Sequence, residues 1–135
     1  MNAPQPITLA EQLNVVEMFE RGVTRLRVGP FTVIRIVAAL YSIEETALIS
    51  PRRAPLLVEA RALVTWVLRA VPSEPVSYPK IGRALGDRHH TTIMHLHLMA
   101  IRLRLEDKVF ARRCDAIDQY FKLTEGNHGR IPAFG

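Results

Sequence analysis

Ser77 to His95, SYPKIGRALGDRHHTTIMH, constrain the fold of this chain more than any other stretch. Ser77 can cap a helix by accepting from an orphan N–H of the turn it opens. Pro79 fits inside that first turn, where its missing N–H costs nothing. Ile81, Ala84 and Leu85 give the short helix one apolar face. Gly86-Asp87 then stops it, because glycine takes up a left-handed backbone without strain. A second helix starts near His89 and carries Ile93, His97, Ala100 and Ile101. Two helices around a tight glycine turn make a helix-turn-helix. The second opens on Arg88-His89-His90-Thr91-Thr92, whose donors and small methyl-bearing hydroxyls suit base edges and phosphates.

The flanks read as helices that would pack around this unit. Thr8 can cap a helix, with Glu11 at capping-box spacing and Leu9, Leu13, Val16, Phe19, Val23 and Leu26 recurring at helical steps. Gly29-Pro30 ends it, so residues 1–29 form a helical extension. Phe31 to Tyr41 predicts the next helix, and Ile43 to Ile49 a short helical turn. Ser50 to Pro55 reads as a loop, since proline disfavours helix in the residue before it. Leu56 to Val71 is apolar on most sides, as a central helix is, with Arg61, Thr65 and Arg69 spaced by four. Trp66 reads as core. The second helix of the turn unit should run to about Arg104, with Leu98 and Met99 as an exposed apolar pair that needs cover. Val109, Phe110, Cys114, Ile117 and Phe121 stripe a last helix, and residues 124–135 read as a tail.

Charge singles out the same segment. Residues 50–104 carry a net charge of +6, against −1 before them and zero after them. Clustered cations mark a binder of polyanions. No apolar run reaches the ~20 residues of a membrane span, and the N-terminus lacks a secretory signal. A lone Cys114 excludes an internal disulfide and a multi-cysteine zinc site. These features read as a cytoplasmic protein of one domain.

The stretch from Ile81 to His95 resembles the C-terminal DNA-binding domain of the bacterial replication initiator DnaA. That family carries an IG-x-x-F-G-x-R-D-H-T-T-V-x-H run. This chain has Ile81-Gly82, Leu85-Gly86, Arg88, His90-Thr91-Thr92-Ile93 and His95 in step. Upstream, Val37-Ala38, Tyr41-Ser42-Ile43, Leu48 to Arg53 and Ala60-Arg61-Ala62 extend the likeness, which covers roughly residues 31 to 123. The resemblance implies an all-α, Trp-repressor-like bundle over residues 30–123, with the helical extension added before it. It implies binding to double-stranded DNA without enzymatic activity or cofactor, in transcriptional or replication control.

The resemblance also implies roles. Arg61 would enter the minor groove with Arg52 and Arg53 nearby; His89, His90 and Thr91 would read the major groove. Arg88 belongs to the same motif, Thr92 and His95 would face phosphates, and Lys80 would meet the backbone. Leu56 and Glu59 stand where the family tends to be basic. His89 stands where the family has Asp, exchanging a pure acceptor for an imidazole. Base preference there should move from cytosine toward guanine, and binding should tighten in acid.

Two rival readings follow from the residues. His89, His90, His95 and His97 cluster in sequence, but no two are spaced i, i+4 and no HExxH occurs, so no metal site is expected. No glycine-rich phosphate loop with Lys-Ser/Thr occurs either, so an ATP-driven initiator is not expected. The other rival is a helical adaptor that binds a second copy or another protein through the extension and Leu98/Met99.

Overall fold

A computed structural model describes residues 28–126, and over these the chain is helical with no strand. The helices are α1 (Pro30–Tyr41), α2 (Glu45–Ile49), α3 (Pro55–Ala70), α4 (Tyr78–Ala84), α5 (His90–Glu106) and α6 (Lys108–Gly126). Among the described residues the predicted helices are present, shifted by a residue or two at their ends, and α6 runs to Gly126, into the residues expected as tail. The N-terminal helix expected over residues 8–28 and most of the tail lie outside the described residues.

α3 is the axis of the bundle, packed by α1, α2, α5 and α6. Its apolar side chains Leu57, Leu63, Val64, Val67 and Leu68 are buried, which explains why hydrophobic residues surround it. The polar line within it faces inward too. Thr65 is fully buried and returns its hydroxyl to Arg61 O at 2.9 Å. Arg69 donates to Val76 O at 3.1 Å and lies 4.3 Å over the Tyr78 ring. That line ties α3 to the loop and to α4. Trp66 is half-buried, with the Arg104 guanidinium over its ring.

α6 closes the core with Phe110 and Phe121, both wholly buried and each contributing about 2–3 kcal/mol of hydrophobic stabilisation. Asp107 separates α5 from α6 and serves both. Its N–H returns to Leu103 O, and its carboxylate accepts from the N–H groups of Val109 and Phe110. Tyr41 donates to Glu59 at 2.6 Å, and Arg113 covers the Tyr41 ring while approaching the same carboxylate at 3.7 Å. Burial, then that carboxylate, pushes the Tyr41 hydroxyl well above its usual range. Glu59 thus clamps α1, α3 and α6 together. Cys114 is buried beside Arg104, its thiol pushed up to about 12 by burial.

The turn between α4 and α5 depends on two close approaches. Ser77 caps α4 by accepting from Lys80 N. Gly86 at φ +85 and Asp87 at φ +58 reverse the chain, a conformation glycine takes freely and aspartate tolerates. Arg88 N then donates to Gly82 O at 2.9 Å. A Cβ on Gly82 would lie 2.1 Å from Arg88 O, so the turn folds onto α4 only with glycine there.

α5 departs from its predicted face. Ile93, Leu96 and Ala100 are buried, whereas Ile101, expected inside, is 43% exposed. Leu98 is exposed as expected, but Met99 is half-buried against the core, on the side of Leu96 and Leu103. The outward apolar residues are Met94, Leu98, Ile101 and Leu105. His97 accepts or shares a proton with the Tyr78 hydroxyl at 2.7 Å.

Gly82→Ala should cost about 3 kcal/mol or more, since backbone must move to admit the methyl; thermal unfolding checks it. A second measurement concerns His97, whose pKa is lowered from 6.5 by burial and then by the Arg69 charge. The folded protein refuses a proton that the unfolded chain accepts. Stability should be full above about pH 6.5 and decline as pH falls from there through the lower folded value. His97→Gln should flatten that decline, read as urea midpoints at two pH values.

Candidate nucleic-acid interface

The Ser50–Ala54 loop between α2 and α3 has no regular ladder to satisfy its carbonyls. Two guanidiniums supply the donors. Arg61 donates to Leu48 O at 2.8 Å, Arg52 O at 2.6 Å, Ser50 O at 2.8 Å and Ala47 O at 3.2 Å. These include the orphan carbonyls at the end of α2. Arg88 reaches back from the turn to Leu85 O and, at 2.7 Å, to the same Ser50 O. The loop is thereby pinned to the helix-turn-helix.

Between loop and turn lies a cleft of about 430 Å³, lined by Pro51, Arg53, Val58, Arg61, Gly86, Arg88, Thr92 and Leu96 with Ile49. Arg52, Arg53, Arg61 and Arg88 form no ion pair with a carboxylate among the described residues. Arg61 is pushed down to about 10 by burial and then by Arg88, and Arg88 is lowered by burial and then by Arg53. Cation beside cation in a cleft is an arrangement that an anion relieves.

Beside the cleft, α5 opens to solvent. His89 is its N-cap, with Nδ1 accepting from Thr91 N at 3.2 Å and lying 2.5 Å from Thr91 Oγ1. A backbone N–H can only donate, so Nδ1 carries no proton and the Thr91 hydroxyl donates to it. Aspartate is a strong N-cap for the same reason; His89 fills that acceptor role here. His89 and His90 stack with ring centroids 4.2 Å apart.

The residues singled out from the sequence divide into two groups. Arg52, Arg53, Lys80, His89, His90, Thr91, Thr92 and His95 have exposed side chains. Arg61, expected at the minor groove, is instead 2% exposed, with all three of its nitrogens bound to carbonyls. Arg88 is half-buried and likewise committed to carbonyls. Both are positioning residues, and the ligand they share, Ser50 O, had no signal of its own in the sequence. Glu59 is turned to Tyr41 and Arg113, whereas Leu56 is half-exposed on the loop side. Among the described residues no group of three His, Cys, Asp or Glu could hold a metal, and no helix is long and apolar enough to cross a membrane.

A short helix, a tight glycine turn and a longer helix with an exposed opening define a helix-turn-helix domain of the all-α class. The family described as bacterial dnaA protein helix-turn-helix matches residues 30–98. The chain belongs to that family. It is 32% identical over 91 residues to the chromosomal replication initiator protein DnaA of Xanthobacter autotrophicus, covering 67% of this chain and 18% of that protein. It is 36% identical over 75 residues to the DnaA of Agrobacterium fabrum, and 34% over 76 residues to that of Acinetobacter baumannii. Those two alignments each cover 56% of this chain, and 14% and 16% of the relatives. The chain thus spans under a fifth of the length of these relatives. No solved structure matches.

The two groups of arginines should separate by experiment. Arg61→Ala should destabilise the fold by about 3 kcal/mol, because several buried carbonyls lose their donor. Arg53→Ala should leave the urea midpoint within about 0.5 kcal/mol of the parent. Equal, small effects on stability would show that Arg61 is dispensable to the loop.

Proposed function

We propose that this chain binds double-stranded DNA with sequence preference, as a transcriptional or replication-control regulator of the bacterial nucleoid, and catalyses no reaction. One observation carries this reading. An exposed helix start bearing His90 and Thr91 lies beside a cleft of arginines that have no carboxylate partner among the described residues, in a chain of the DnaA helix-turn-helix family. The α5 opening lies in the major groove; Arg52 and Arg53 run along the phosphates or the adjacent minor groove; Thr92, His95 and Lys80 face the backbone. Arg61 and Arg88 hold the loop that presents them.

Base reading falls to few atoms. The Thr91 hydroxyl is held by His89, so its methyl is the part that meets a thymine methyl. The His89 Nε2–H is a donor, which favours a guanine edge over a cytosine amine.

Four exposed cations lie on the loop and on α4: Arg52, Arg53, Lys80 and Arg83. If all four meet phosphates, log K should fall against log salt with a slope of about −3 to −4. Titration of labelled duplexes selected from a random pool checks this, and a flat response leaves the adaptor reading. Thr91→Ala should cost about 1–3 kcal/mol on the selected site and less on random DNA. Arg53→Ala should weaken both alike, since phosphate contacts carry no sequence information.

A further inference from the structure

We propose that the outward apolar stripe of α5 is the docking site for residues 8–26 of the same chain. The stripe consists of Met94, Leu98, Ile101 and Leu105, 44%, 65%, 43% and 83% exposed. Its members are spaced by four, three and four, so Met94 and Ile101 are one heptad apart, as are Leu98 and Leu105. This is a seam of 3.5-residue period, the pattern by which one helix packs along another.

The sequence outside the described residues carries a matching seam. Leu9, Val16 and Val23 are spaced by seven, and Phe19 and Leu26 by seven. Helical, that segment would span about 27 Å, ample for the ~16 Å from Met94 to Leu105. Charge agrees. Residues 8–26 carry Glu11, Glu17 and Glu20 against Arg21 and Arg25, with the three acids in the first thirteen residues, and exposed Arg102 flanks the stripe on α5. The segment joins the domain at Val28, which packs against the core, so its local concentration at the domain surface is high.

A second copy fits this stripe less well. Pairing α5 with another α5 antiparallel sets the Arg102 flank against its own counterpart. The exposed fractions correspond to roughly 500 Å² per copy, short of the ~800 Å² per partner of a stable interface. The stripe is also distinct from the cleft residues, so the inference does not depend on DNA binding.

The test is hydrogen–deuterium exchange on the full chain, with and without Leu98→Glu/Leu105→Glu, alongside solution mass by light scattering. Both substituted residues are exposed, so core amides of α3 serve as the internal check that the fold is kept. The parent should be monomeric, with amides of residues 9–26 protected at least ~10-fold over a free peptide, and the double variant should lose that protection. Three outcomes overturn the proposal: exchange of the segment at peptide rates in the parent, protection that survives the double substitution, or a two-copy mass that the substitution reduces to one. Should the double variant lose α3 protection as well, Leu98→Lys alone provides the readout, with the same outcomes.

Discussion

A single carbonyl, Ser50 O, accepts from two guanidiniums that arrive from different parts of the chain. Arg61 comes from the central helix and Arg88 from the turn before α5. Because guanidinium presents fixed, planar donors, each arginine can serve several carbonyls at once without adjusting its charge. The loop after α2 therefore acquires a defined shape without secondary structure, and it acquires it relative to the helix-turn-helix. Arg52 and Arg53 owe their placement to that arrangement. Lysine could not replace either pinning arginine, since one ammonium cannot span acceptors on both sides of a loop.

The turn and the cap extend the same logic to α5. Gly82 lets the turn backbone approach α4, Gly86 and Asp87 reverse the chain, and Arg88 spends its N–H on Gly82 O while its side chain secures the loop. One residue later His89 closes the first turn of α5 by accepting from Thr91. Four consecutive positions, Gly86 to His89, thus fix local structure at the start of α5, and His89 does so while staying exposed. The motif that looks in sequence like a row of DNA contacts is half scaffold.

This division marks the limit of what the sequence discloses. Helix spans were legible because their signals are local: proline at first turns, glycine at the reversal, and apolar residues at helical steps. The family was legible from the run between Ile81 and His95. The fate of Arg61 was not, because a motif gives a residue's identity and not whether the chain folds over it. An arginine on an otherwise apolar helix fits a groove and a nest of carbonyls equally well; only the Ser50–Ala54 loop decides. His89 was legible as a departure from Asp, but its role as a cap needed the distance to Thr91 N. Likewise Glu59 reads only as an acid where the family tends to be basic, whereas its partners are Tyr41 and Arg113.

The face that α5 turns outward is not legible in the sequence for a related reason. Ile93, Met94, Leu96, Leu98, Met99, Ala100, Ile101, Leu103 and Leu105 place apolar side chains on nearly every side of this helix. Hydrophobicity alone then fixes its rotation weakly, because turning it by one residue would bury a different but comparable set. Polar contacts select the phase. Tyr78 holds His97, and Arg104 is held between the Trp66 ring and Asp115, to which it bonds at 2.8 Å. The His89 cap sets where the helix begins. With these fixed, Ile93, Leu96 and Ala100 must point inward, His90 and Thr91 stand clear at the start, and Met94, Leu98, Ile101 and Leu105 remain outside. The exposed stripe is therefore a consequence of the polar contacts that orient the recognition end of the same helix.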